Sequence, residues 1–230
     1  MTRSFKKHSF TPTLLVALAC YSLTCCTPRA PHPVATRLIE QQYGVLKDPL
    51  VERYLEGILV RLNAAVASRR QSIVPKLTLL STSTVVALAP DEDTILISQG
   101  MLRTLANEAE LAFVLAHERA HQQLGHTALD VDEVSASKRK SLELAADQRA
   151  IAVMAAAGYD PRAAFGALKR TDVQDSNGLT NRADYPDLEE REKAALSFLS
   201  GSGWLPPGTV NRRDFVMVQR HLADANRQGR

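Results

Sequence analysis

One stretch constrains this chain more than any other. Leu111 to Ala116 (LAFVLA) is apolar at every position and runs straight into His117-Glu118-Arg119-Ala120-His121. A helix that is apolar all round has no solvated face and must lie inside a core. Asn107 can cap such a helix, Glu110 follows three residues later as in a capping box, and Gly125 suits its stop. These signals predict a helix over Glu108–Leu124. The two histidines therefore sit at the end of a core element rather than on a wet surface.

That placement has chemical consequences. On a helix, positions i and i+4 share a face about one turn apart. His117 and His121 can thus reach one Zn²⁺ at about 2.0–2.1 Å. Glu118 is rotated by about 100° from His117. It can stand over the open coordination position and act there as general base on water. A third ligand must come from elsewhere. The metzincin pattern HExxHxxGxxH would need Gly at position 124 and His at 127, but the chain has Leu124 and Thr127. On a continuing helix His126 would lie about 180° from His117. It points away unless the chain breaks first at Gly125, and His126 is read as a second-layer or structural residue.

Glu143 is the better candidate. It shares a face with Asp147 on the next predicted helix, Ser137–Ala157, among Leu142, Leu144, Ala145, Ala146, Ala150 and Ile151. Carboxylates amid such apolar neighbours need partners. Glu143 is read as the metal ligand. Asp147 is read as the group that holds a ligand imidazole through its far ring nitrogen. Asp130, Asp132 and Glu133 are rivals in a predicted loop.

The start of the chain reads as a targeting segment. Arg3, Lys6 and Lys7 precede the apolar run Leu14 to Leu23, which has the length of a signal-peptide core and is too short to span a bilayer. All three cysteines, Cys20, Cys25 and Cys26, fall in this segment, so the folded part has no internal disulfide. Leu23-Thr24-Cys25-Cys26 resembles a bacterial lipobox with Cys26 as the lipidated residue. Cys25 stands where a small residue is usual, which leaves Cys25 or Cys20 as other acceptors. Thr27 after the acceptor implies outer-membrane sorting, with the domain facing the periplasm. Removing residues 1–25 takes three positive charges and no negative ones. It leaves 25 residues of each sign, so no nucleic-acid footprint is expected.

The organisation expected is a signal peptide over 1–25, a Pro-rich tether over 26–37, a domain over 38–200 and a tail over 201–230. Helices are expected near Ala35–Tyr43 and Pro49–Ser68, where Asp48-Pro49 supplies a cap and a first-turn proline. Three short strands, Lys76–Ser81, Val85–Ala89 and Thr94–Ser98, can make a small sheet. A helix from Asp160-Pro161 to about Arg170, a polar loop over 171–184 and a helix over Asp187–Leu199 follow. Asn211–Asn226 reads as a solvated terminal helix. The fold class is α+β and mainly helical.

These motifs resemble the membrane-associated gluzincin peptidases related to HtpX, BepA and LoiP. The resemblance rests on Asn107 to His126 (NEAELAFVLAHERAHQQLGH), Glu143 to Ala164 (ELAADQRAIAVMAAAGYDPRAA) and Glu40 to Leu62 (EQQYGVLKDPLVERYLEGILVRL). It implies a zincin-type domain with a small sheet beside the HExxH helix. It also implies one Zn²⁺ per chain on His117, His121 and Glu143, Glu118 as base and Asp147 behind a ligand. Many relatives carry His-Pro and then Arg five residues after that Pro. Here Tyr185-Pro186 precedes Arg191, so the Arg is kept and Tyr185 replaces the histidine. In those relatives the histidine approaches the active site and gates it or contacts the oxyanion; the Tyr185 phenol can donate a hydrogen bond in that catalytic role, or Tyr185 is a packed loop residue. The Asn-Ala-x-x-x-Pro pattern common before the third strand lacks its Asn here, where Val85 stands.

The function expected is a zinc endopeptidase acting on misfolded or loosened envelope proteins, with an extended substrate pairing near Ile95 to Ser98. The alternative is a non-catalytic, chaperone-like module that binds such proteins without cutting them.

Overall fold

The computed structural model describes residues 32–66, 73–129, 133–175, 185–203 and 206–228. The targeting segment and the three cysteines lie outside these residues, as do Asp130 and Asp132. Eight helices and three strands follow one another in the described residues. They are α1 (His32–Tyr43), α2 (Pro49–Ala64), β1 (Lys76–Leu80), β2 (Ala87–Leu88), β3 (Thr94–Ser98), α3 (Gln99–Thr104), α4 (Glu108–Gln123), α5 (Ala136–Ala156), α6 (Ala163–Asp175), α7 (Leu188–Gly201) and α8 (Arg212–Gln228). The architecture is the mainly helical α+β arrangement that the sequence implies.

α4 is the central element. Leu111, Ala112, Phe113, Val114, Leu115 and Ala116 are all buried, as an all-round apolar run requires. Asn107 caps it by accepting the Glu110 N–H at 2.9 Å. The Glu110 carboxylate reaches back one residue beyond the cap, to the Ala106 N–H at 2.7 Å. α2 starts as the Asp48-Pro49 pair predicts, with the Asp48 carboxylate accepting from Leu50 and Val51. Its Leu55, Ile58, Leu59 and Leu62 join the same core.

The sheet order is β1-β3-β2. β3 pairs in parallel with β1, Leu77 opposite Ile95, and antiparallel with β2, Ala87 opposite Ile97. Every residue of β3 is buried. This corrects one expectation: Ile95 to Ser98 cannot take a substrate strand, because both of its edges are used. β1's outer side is covered too, since Leu46 donates to Leu79 O and Ser81 to Gly44 O. β2 is the edge that no strand covers among the described residues.

Three further segments depart from the sequence expectations. Gln99–Thr104 is a short helix where the sequence signals predict none. Ser98, at the end of β3, caps it through Met101 N–H and also takes the Val86 N–H and donates to Thr84 O. The region expected to be a loop from 171 is helical to Asp175. α8 is not solvated all round: Phe215, Val218 and Leu222 are buried in the main core. Gln219 donates to Leu102 O and Leu105 O, both at 2.8 Å. No described helix is long and apolar enough to cross a membrane.

Candidate metal centre

α4 and α5 pack along each other, and their facing residues meet at one point. His117 Nε2 lies 3.0 Å from His121 Nε2 and 3.3 Å from Glu143 Oε2, and His121 Nε2 lies 3.5 Å from Glu143 Oε1. Among the described residues, this trio is the group of three side chains whose ligand atoms converge closely enough to hold a metal ion. Four-coordinate zinc with bonds of 2.0–2.1 Å holds its ligand atoms about 3.3 Å apart. The distance between the two ring nitrogens and the distance from each to its nearer Glu143 oxygen bracket that value. Two ring nitrogens and one carboxylate are also the donor set that zinc prefers. Glu133, described at the end of the preceding loop, is not part of the group.

The trio is braced from behind. His117 Nδ1 is 2.9 Å from Asp147 Oδ1, close enough for a hydrogen bond although the ring N–H is poorly aligned with that oxygen. Asp147 is fully buried and takes a bidentate pair from Arg191, Nε to Oδ2 at 2.8 Å and Nη2 to Oδ1 at 2.6 Å. Arg191 comes from α7, whose start is fixed by a capping box between Asp187 and Glu190. Three helices are thereby tied to one imidazole. Tyr185 is half-buried, two residues before that cap. His126 lies behind His121, with their Nδ1 atoms 3.1 Å apart.

The two carboxylates nearest the imidazoles are driven in opposite directions. Burial works against a charge on Glu143, but hydrogen bonds and attraction from His117 and His121 outweigh it and hold the group well below its ordinary range. Glu118 is raised above the usual carboxylate range, chiefly by burial. The two imidazoles and the Ala89 N–H offset this only in part. Burial also opposes a charge on His117, yet Asp147 and Glu143 lift it to about 10. One carboxylate is thus kept anionic beside the imidazoles, and the other is readied to accept a proton. The Ala89 contact also places Glu118 beside the end of β2, the uncovered sheet edge.

The comparison with known families bears on this geometry. Residues 49–139 match the model of peptidase family M48. The match runs from the start of α2 into the first turn of α5, and so includes His117, Glu118 and His121 but stops four residues before Glu143. It supports a metallopeptidase, a hydrolase with peptide or protein substrates, and such peptidases are typically zinc-dependent. No curated protein matches the chain.

One buried group escaped the sequence reading. Glu108, in the first turn of α4, is fully buried and accepts from Tyr54 (2.5 Å), Arg61 (2.6 Å), Tyr159 (2.8 Å) and Asn211 (2.5 Å). These donors lie between 47 and 103 residues away. No local pattern announces the site, beyond an acid in a helix's first turn, where the dipole favours it.

Proposed function

We propose that this chain is a zinc-dependent endopeptidase that cuts loosened or misfolded proteins of the cell envelope. The observation that carries the proposal is the convergence of His117, His121 and Glu143, whose ligand atoms lie within 4.8 Å of one another and would hold one zinc ion. When bound, zinc supplies Lewis-acid polarisation of a peptide carbonyl and of water.

The remaining work falls to this chain's own side chains. Glu118 takes a proton from water as its oxygen adds to the scissile carbonyl carbon. It then delivers that proton to the amide nitrogen as the carbon–nitrogen bond breaks, giving a free carboxylate and a free amine. Its raised proton affinity suits both halves of the cycle. Asp147 and Arg191 keep the His117 ring from turning. Tyr185 donates its phenolic hydrogen to the developing oxyanion.

An extended substrate lies along β2, with Val85 to Ala89 as the docking edge. Main-chain pairing of that kind is sparing of sequence. It selects chains with a free extended segment, which folded proteins seldom offer. The envelope setting rests on the N-terminal reading, with Cys26 lipidated and the domain held at the outer membrane facing the periplasm.

The test uses Glu118→Gln in the full chain. The variant should bind zinc as the wild type does and fail to cleave casein, an unstructured protein. Continued cleavage would remove Glu118 from its assigned role. A wild type that binds casein and never cuts it would favour the chaperone-like module instead.

A further inference from the structure

The two imidazoles of the trio are supported differently. His117 has a carboxylate behind it, Asp147, itself locked by Arg191. His121 has an imidazole behind it. Its rear nitrogen, Nδ1, lies 3.1 Å from Nδ1 of His126, with the rings near-perpendicular at 73° and their centroids 5.0 Å apart.

This contact exists because α4 stops. Had the helix continued, His126 would face away from the site. Gly125 instead adopts the left-handed conformation, φ 73° and ψ 18°, and residues 126–128 form a single 3₁₀ turn that carries the ring back under His121. Residues with a side chain adopt this conformation at a cost that glycine avoids.

Proton counting then assigns the roles. A hydrogen bond between two ring nitrogens needs one N–H and one lone pair. His121 Nε2 faces Glu143 and His117, and it must keep its lone pair to hold a metal. Its proton therefore sits on Nδ1 and is donated rearward. His126 Nδ1 must accept, so the His126 proton sits on Nε2.

We propose that His126 is a positioning residue for the metal site. It accepts the His121 Nδ1–H, fixes the tautomer and tilt of that ring, and thereby sets how tightly zinc is held while ligating nothing itself. The proposal rests on the zinc site proposed above and adds a residue to it.

The experiment compares two near-isosteric substitutions in the full chain. His126→Asn puts a carbonyl oxygen where Nδ1 stands, and His126→Leu puts a methyl group there. Zinc affinity is read by competition with a chromophoric chelator, and melting of the metal-free protein is read in parallel. Loss of such a partner weakens metal binding by roughly 10- to 100-fold. That loss is expected for His126→Leu and largely restored in His126→Asn, with little change in metal-free melting for either. Equal zinc affinity in wild type and His126→Leu overturns the proposal, as does an Asn variant that behaves like Leu.

Nitrogen-15 spectra of the histidine rings in the wild type decide the matter even if a variant fails to fold. The proposal requires a protonated Nδ1 on His121 and a bare Nδ1 on His126. The reverse arrangement refutes it, as does a His126 nitrogen shifted like a zinc ligand. If the wild type takes up no zinc at all, the metal reading falls. The same spectra of the metal-free chain still report whether His126 accepts from His121.

Discussion

Replacing Arg191 with methionine should do more damage than the loss of one charge on a helix implies. Asp147 is fully buried, and its two oxygens receive two Arg191 hydrogens at 2.6 and 2.8 Å. Arg191→Met leaves that carboxylate in the interior with only the misaligned His117 contact. Breaking a buried pair by removing one partner costs about 3–5 kcal/mol. For a domain of this size each kcal/mol lowers the melting temperature by roughly 2–4 °C, so a fall of about 6–20 °C is expected. The double variant Arg191→Met, Asp147→Leu removes both charges and should recover most of that loss, because an apolar pair of similar volume needs no solvation. It should not recover metal binding, since His117 has lost the group behind it, at a cost of roughly 10- to 100-fold in affinity. Thermal melting and chelator competition on the wild type and both variants measure the two effects separately. If Arg191→Met melts within about 1 °C of the wild type, or if the double variant is no more stable than the single, the reasoning is wrong.

Three other outcomes follow from the same structure. Gly100→Ala would drive a methyl group into the Ser83 carbonyl. It should displace the loop into β2 and lower casein cleavage about tenfold or more, as ångström misplacements do, while zinc content stays at the wild-type level. Glu108→Gln turns one acceptor oxygen into a donor, facing either Tyr54 and Asn211 or Arg61 and Tyr159. A loss of about 2–4 kcal/mol by denaturant titration is expected, and a neutral result would show that the buried acid is not the node described. Tyr185→Phe should lower the turnover number for casein with little change in zinc affinity or melting temperature. An unchanged rate would assign Tyr185 to packing alone.

The parts of this structure that the sequence revealed are those set by local rules. The α4 core segment, its Asn107 cap and the shared face of His117 and His121 each follow from spacing within one helix. Glu143 and Asp147 were legible for the same reason, one turn apart among apolar neighbours. What stayed hidden depends on chain segments far apart in sequence. Strand order cannot be read from strand content, so Thr94–Ser98 was expected to be the docking edge when it is the middle strand. Glu108 draws its donors from α2, the start of the 159–162 turn and the approach to α8. α8 reads as a solvated helix, and the surface that receives Phe215, Val218 and Leu222 comes from segments far from it in sequence. His126 turned on one backbone angle at Gly125, which decides whether the ring faces away from His121 or touches it.

The most direct measurement is the zinc content of the full chain after demetallation and refolding, taken for the wild type beside Glu143→Ala. The account predicts one zinc ion per wild-type chain and its loss from the variant on dialysis, since two imidazoles alone hold the ion weakly. A wild type that regains no stoichiometric zinc, or a Glu143→Ala variant that retains it as firmly, contradicts the account.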